Sequence, residues 1–423
     1  MSKSNSSLLL PINRRAFLQS SGAFAGMSAL ALSGCEKRVA TAVQPPAPPL
    51  PIYDQYTPLV PIRAHADRIF RITVCLRPFR AKGPRMDVEK VGDKTIVHNY
   101  GHGGSGWSLS WGSATVAVKS AMTAAEGSQD IAVLGAGAIG LTSATLLQRA
   151  GANVTIYAKE RAPYTRSSRA TGSWTPDSRV ALASAVSPDF PAIWESLARA
   201  SFFYYQSFYG MAGSPVEWTD RWSLSDTPRR MGPNGVPEPS ADRPAPVHDF
   251  IHVSNRIADL TPRPIVMPPG STPFPTPYVT RSSSMTFNVA DYSRQLLTDF
   301  LIAGGKIETR EFHSPQELTS LAQKVIVNCP GYGGRALWSD ESITPVRGQI
   351  AWLIPQEDAH YGLNYKGLNV LARRDGIVLQ YNKGGEDEGW NDTNEQPDRA
   401  SAEASVAVLQ DLYARMAAMK PAR

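Results

Sequence analysis

The sequence predicts an α/β fold in which a parallel βαβ core of the nucleotide-binding kind packs against a second domain. Three observations carry this. An apolar run at 130 to 134 leads through a glycine-rich turn into a helical stretch at 139 to 150 and a second apolar run at 154 to 157. Helix and strand patterns alternate again at 289 to 303, 306 to 310 and 324 to 328. At 423 residues and 42% hydrophobic composition, the chain is globular and too long for one compact core.

The first 35 residues read as an export leader. Asn13-Arg14-Arg15-Ala16-Phe17-Leu18 resembles the twin-arginine signature, and the apolar run from 23 to 32 is too short to span a bilayer as a mature helix. Leu32-Ser33-Gly34-Cys35 resembles a lipobox, so a lipid anchor through Cys35 and a place in the periplasm or cell envelope are expected. Residues 36–63 include Pro45-Pro46-Ala47-Pro48-Pro49 and are expected to form an extended tether, with folded sequence beginning near Ala64. Lys and Arg exceed Asp and Glu by 43 to 37, without a basic stripe, so no nucleic-acid partner is expected. The three cysteines, Cys35, Cys75 and Cys329, are too scattered for a metal cluster, and no metal is expected.

Beyond the tether, strands are expected at 71 to 76 and 94 to 97 and a small-residue helix at 113 to 123. An aromatic-rich helix follows at 189 to 209. Residues 222 to 281 are dense in proline and glycine and suggest irregular connections with a few strands. Three strands are expected within 346 to 381, then a final helix at 401 to 416.

The turn after the first βαβ strand carries the clearest chemistry. Gly135-Ala136-Gly137-Ala138-Ile139-Gly140 fits G-x-G-x-x-G: Gly135 for the tight turn, Gly137 for backbone approach to a pyrophosphate, and Gly140 for helix–strand packing. Roughly twenty residues on, where an acidic side chain would hold a ribose hydroxyl, stands Glu160, beside Lys159. Nucleotide binding follows, though the fingerprint alone does not separate FAD from NAD.

Further segments resemble the D-amino-acid oxidase family of FAD-dependent oxidoreductases. Thr165-Arg166-Ser167-Ser168-Arg169-Ala170-Thr171-Gly172-Ser173-Trp174 looks like the family's loop around the FAD phosphates and flavin edge. Phe287 to Tyr292 and Val325 to Gly334 resemble its middle helix and the strand closing the nucleotide fold, which implies that the backbone near Phe312 contacts the adenine side. Most specific is Leu76-Arg77-Pro78, then Val97-His98-Asn99-Tyr100-Gly101-His102-Gly103-Gly104-Ser105-Gly106-Trp107-Ser108 and Trp111-Gly112, which is similar to the family's C-terminal signature. The resemblance implies that Arg77 binds the substrate carboxylate and that the loop from Gly103 to Ser108 packs on the flavin. The two histidines are expected as satisfied core groups.

The fold implied is an FAD-binding Rossmann-like domain interleaved with a mainly antiparallel-sheet substrate domain. Residues 126–185 and 282–345 would bind FAD, and residues 186–281 and 346–423 would form the substrate domain. Residues 64–125 would be the signature segment, moved ahead of the fingerprint as in a circular permutation, with the final helix ending near the strand at 71 to 76. The activity implied is oxidation of a D-amino acid by hydride transfer to flavin N5, giving a 2-oxo acid, ammonia and hydrogen peroxide. A membrane-associated dehydrogenase reducing quinone and a non-catalytic flavin-binding lipoprotein are the competing readings. The family's two active-site tyrosines correspond, after Arg347-Gly348-Gln349, to Tyr365 and Asn369. Tyr365 is expected to give its hydroxyl to the carboxylate, whereas Asn369 lacks the aromatic wall.

Overall fold

The computed structural model describes residues 59–228, 232, 238–240 and 244–419. The expected leader, Cys35 and the proline-rich run lie outside the described residues. Strands β1–β14 and helices α1–α6 gather into two sheets and their flanking layers.

One sheet is the nucleotide type. Its order is β2 (Val88–Val91), β3 (Lys94–His98), β10 (Val325–Asn328), β4 (Asp130–Leu134), β5 (Asn153–Ala158) and β9 (Lys306–Thr309), parallel except for β2 at one edge. Apart from exposed positions at strand starts, β3, β4, β5 and β10 are buried along their length, as a sheet covered on both faces requires. Helices α1 (Gly106–Ala124), α2 (Ala138–Arg149) and α4 (Val289–Ile302) pack together beside this sheet. Small residues let α1 approach α3 (Phe190–Gln206): a Cβ on Gly112 would lie 2.1 Å from the Leu197 carbonyl oxygen. The Gly112 N–H donates to Ser201 Oγ at 2.8 Å. A short α5 (Gly334–Leu337) follows β10.

The second sheet runs β1 (Ile69–Arg80), β11 (Ile343–Leu353), β14 (Gly376–Tyr381), β13 (Leu368–Arg373), β12 (Tyr361–Tyr365), β6 (Val216–Ser225), β8 (Tyr278–Phe287) and β7 (Ile265–Val266). Every pairing is antiparallel except β6 with β12. Helix α6 (Arg399–Ala418) lies against β14 and β11. Its N-cap is Asp398, whose carboxylate accepts from Ser401 N–H at 3.0 Å. The amide of Gln349 grips the Asp398 backbone in both directions at 2.7 Å, tying the helix start to β11.

Several expectations change here. The extended tether ends sooner than residue 63, because Ile62 is buried among α6 side chains and Val60 accepts a hydrogen bond from Tyr361. Helix α1 begins at Gly106 rather than 113, so the glycine loop feeds straight into it. The proline-rich stretch contains two long paired strands at its ends, β6 and β8, whose alternation is masked by polar residues facing a cavity. Four strands rather than three fill the region that ends at Tyr381, and β11 crosses the expected boundary at 345. Residues 64–125 belong to both sheets: β1 pairs with β11 over nearly its whole length, while β3 lies beside β10. The first turn of α6 meets the residues just before β1, with Arg399 donating to the Ala66 carbonyl at 3.0 Å. Its later turns meet Val60 through the Tyr413–Tyr361 hydroxyl pair at 2.9 Å.

Candidate active site

Three adjoining cavities run from the glycine turn to the antiparallel sheet. The first, about 690 Å³, is lined by Gly135, Gly137, Ala138, Ile139, Lys159, Glu160 and Phe312. Gly135 has φ +95°, and a Cβ there would lie 2.4 Å from the Cys329 carbonyl oxygen. At Gly140 a Cβ would come within 1.9 Å of the Gly135 carbonyl oxygen; Gly140 supports the turn from behind and does not line the cavity. The first turn of α2 offers N–H groups without intrahelical partners, and Ser167 Oγ accepts from Ala138 N–H at 3.0 Å. Lys159 pairs with Glu311 at 2.9 Å, so Glu160 is the acidic group at the end of β5 that lines the cavity without that partner. Phe312 stands edge-on to Tyr157, centroids 6.2 Å apart, beneath the Arg310 guanidinium at 4.5 Å.

Ala138, Ile139, Arg166 and Ser167 also line the second, narrow cavity of about 150 Å³. Around it the glycine loop before α1 meets the loop at 165 to 174: Gly103, Gly104, Gly106, Trp107 and Ser108 on one side, Thr171, Gly172 and Ser173 on the other. Trp107 Nε1 donates to the Ser167 carbonyl at 2.8 Å, and Thr175 N–H to Ser108 Oγ at 2.9 Å, clamping the loops together. Ser105 does not line the cavity; its hydroxyl donates to the Ser178 carbonyl at 3.1 Å. An added Cβ on Gly106 would meet nothing within 4 Å, so this backbone faces open space.

Two buried polar atoms on that wall lack a hydrogen-bond partner, Arg166 Nε and His102 Nε2. Burial holds the His102 imidazole down to about 3, so it is neutral at ordinary pH. The histidines therefore divide. His98 is a satisfied core group, bonded to Glu89 and Asn328 at 2.9 Å each. His102 lines the narrow cavity and keeps one buried ring nitrogen, Nε2, without a hydrogen-bond partner among the described residues. A glycine cradle at a helix N-terminus, an unpaired guanidinium nitrogen and a neutral imidazole suit a pyrophosphate joined to a polar ring system.

The third cavity, about 720 Å³, shares Arg77, Gly104, Thr171, Ser173 and Thr175 with the second. Arg77 therefore stands at the junction. It reaches across β11, where a Cβ on Gly348 would lie 2.3 Å from Nη2; glycine in Arg347-Gly348-Gln349 leaves room for the guanidinium. Its hydrogen-bond partner is the Arg347 carbonyl at 3.3 Å. Burial lowers its pKa with no carboxylate nearby to offset it.

Tyr365 and Asn369 also line this cavity, but both are engaged. The Tyr365 hydroxyl donates to Asp226 at 2.7 Å and accepts from Arg415, so it is spent within the wall rather than presented to a ligand. Burial would raise the pKa of Asp226, but hydrogen bonds from Tyr365 and Lys366 hold it below the usual carboxylate range. Asn369 Oδ1 accepts from Arg221 Nη2 at 2.7 Å, and Arg221 Nη1 donates to Ser173 Oγ at 2.9 Å. Arg221 and Arg179 are site residues that sequence reasoning missed. Arg221 lies on β6, beside the stretch expected to be irregular; the Trp218-Thr219-Asp220-Arg221-Trp222 alternation was the available signal. Arg179 donates to the Glu386 carbonyl at 2.6 Å. Burial pushes Arg179 and Arg221 each down to about 10.

A D-amino-acid oxidase of Streptomyces coelicolor is 27% identical over 225 residues, 52% of this chain and 58% of that protein. One from Rubrobacter xylanophilus is 34% identical over 128 residues, 30% of this chain and 38% of that protein. The chain thus spans less than two thirds of the length of these curated relatives. Among solved structures, glycine oxidase from Geobacillus kaustophilus is similar at a TM-score of 0.41 and 15% identity, over 59% of this chain and 70% of that chain. The family model for FAD dependent oxidoreductases matches residues 130–422. That match takes in the glycine turn, the loop at 165 to 174 and most of the antiparallel sheet, and it makes this protein a member of the FAD-dependent oxidoreductase family.

Proposed function

We propose that the protein oxidises a D-amino acid to the 2-oxo acid and ammonia, with oxygen reduced to hydrogen peroxide. The observation that carries this is Arg77, a guanidinium without a carboxylate partner at the junction of the narrow cavity and the large one. Its planar fork can take an α-carboxylate in two parallel charge-assisted bonds. Bound FAD supplies the two-electron acceptor. The chain's part is then to fix the Cα–H toward the narrow cavity, leave the amine neutral and close out water; no side chain has to act as a base. The imino acid so formed loses ammonia to water. Purified protein should release FAD on denaturation and generate peroxide with some member of a D-amino-acid panel in air. Dye reduction without oxygen, and no peroxide in air, would instead favour a dehydrogenase passing electrons to quinone, the reading suggested by the twin-arginine-like leader and the lipobox at Cys35.

We read residues 64–125 as the signature segment displaced by circular permutation. The family match begins at residue 130, while the signature-like residues precede it and contribute β1 and β3 to the two sheets. A chain with residues 64–125 moved behind residue 419 should fold and bind FAD; failure to bind it would count against permutation. Export through the leader, and lipidation at Cys35, would appear as an envelope-associated protein whose mature N-terminus carries lipid by mass spectrometry.

A further inference from the structure

The large cavity holds more positive charge than one α-carboxylate needs. Arg221 has two hydrogen-bond partners among the described residues, Ser173 Oγ and Asn369 Oδ1, and both are neutral. No carboxylate acts on it, and burial alone shifts it. A guanidinium withdrawn from water without a counter-charge is costly, and the cost is recovered when an anion arrives. Its first partner, Ser173, lines the narrow cavity as well as the large one, so Arg221 and Arg77 both border the place where the two meet.

The rest of the wall agrees. Ser223 and Ser225 on β6, Ser282 and Ser284 on β8, and Gln380 on β14 line the same cavity and place hydroxyls and an amide near the guanidinium, alongside apolar members such as Trp174 and Leu368. The carboxylates on that wall are occupied or exposed. Asp177 accepts from Ser254 N–H at 3.2 Å, Glu386 pairs with His252 at 3.3 Å, and Glu238 is exposed to solvent. Asn369 holds one edge of Arg221 in place by its side-chain oxygen, which gives a physical reason for an amide at a position where the resemblance leads one to expect tyrosine.

We infer that Arg221, oriented by Asn369 and Ser173, forms a second anion subsite and that the substrate is an amino acid with an acidic side chain. This rests on Arg77 taking the α-carboxylate, as proposed above.

The test uses the FAD-loaded full chain, as wild type, Arg221→Gln and Arg221→Lys, each checked for FAD content and melting temperature. Turnover of D-aspartate and D-glutamate is compared with D-asparagine and D-glutamine. The wild type should favour each acid over its amide by about 100-fold in kcat/KM, the scale of a buried charge-assisted pair. Arg221→Gln should lower kcat/KM for the acids far more than for the amides and so remove that preference, and Arg221→Lys should restore part of it. Equal rates for acids and amides in the wild type, or an equal loss on both in the Gln variant, would overturn the inference. Calorimetry with succinate and propionate keeps the two readings apart. If no D-amino acid is oxidised but succinate binds more tightly than propionate, and only in the presence of Arg221, the subsite stands and the oxidase reading falls. If succinate and propionate bind alike, the subsite falls whatever the turnover shows.

Discussion

The two ends of the cavity chain are built in opposite ways. At the glycine turn, five lining residues are neighbours in sequence, Gly135 to Ile139, and the chemistry is mostly backbone N–H at a helix start. At the antiparallel sheet, the groups that matter come from β1, β6, β12 and β13, and the chemistry is side-chain charge. A nucleotide needs a fixed backbone shape, which a short motif can encode. A substrate needs a few charges at set distances, and any strands that deliver them will serve. The contrast predicts that damage at one end should separate cleanly from damage at the other.

The largest separation is expected at Arg77. Arg77→Met should keep FAD and lose about 2–5 kcal/mol of transition-state stabilisation with D-amino acids, seen in both KM and kcat. Near-normal kinetics in a variant that still holds FAD would move the carboxylate site elsewhere. The reverse is expected at Gly140. Gly140→Ala forces a Cβ against the Gly135 carbonyl, so the turn must shift; an overpacking cost of about 1–3 kcal/mol should appear as a lower melting temperature and poor FAD retention. Full FAD content at an unchanged melting temperature would show that the turn is more pliant than its packing implies.

Tyr365 sharpens the comparison, because it lines the large cavity while its hydroxyl serves the wall. Tyr365→Phe leaves Asp226 and Arg415 without that partner and should cost about 1–2 kcal/mol of stability, with kcat/KM changed only a few-fold. A large fall in activity at an unaltered melting temperature would return the hydroxyl to the substrate.

The last effect is a slope. His102 titrates near 6.5 in an unfolded chain and is held to about 3 by burial in the fold. Between those values the unfolded chain binds a proton that the fold refuses, so stability falls as pH drops, by up to about 1.4 kcal/mol per pH unit. Urea titrations between pH 7 and 4.5 on wild type and His102→Asn should differ in slope by one proton; parallel slopes would mean that His102 is not buried as a neutral ring.

Legibility followed the same division. The βαβ unit and Glu160 could be picked out from the residues alone, because the motif is contiguous and each residue type has one steric or hydrogen-bonding job there; Arg166, Ser167 and the Gly103 to Ser108 loop came through resemblance. Arg77 was legible only through resemblance. Nothing local marks it, since its role depends on Gly348 making space across the sheet from 270 residues away. Arg221 escaped because the period-two signal of β6 is short and stands beside a stretch dense in proline and glycine, while its partner β8 carries three serines in a row at 282 to 284. Tyr365 was expected to give its hydroxyl to a carboxylate, and here that hydroxyl donates to Asp226: sequence position cannot tell which way a hydroxyl is turned when an aspartate and an arginine arrive from other elements.

The long separation between β1 and β11 also sets an order of events in time. β1 is made well before its hydrogen-bonding partner, Ile343–Leu353, whose residues lie about 270 positions further on, as Arg77 and Arg347 do. At about 5–20 residues per second, the wait amounts to some tens of seconds, during which one edge of β1 has no neighbour. An unpaired strand of twelve residues is a template for wrong pairings. Its proline at position 78, opposite Pro345, leaves a missing donor on the strand's other edge, and its arginines at 71, 77 and 80 add repeated positive charge along the strand. Arg77, proposed above to take a substrate carboxylate in the finished protein, thus also discourages, while the chain is still incomplete, the approach of another strand.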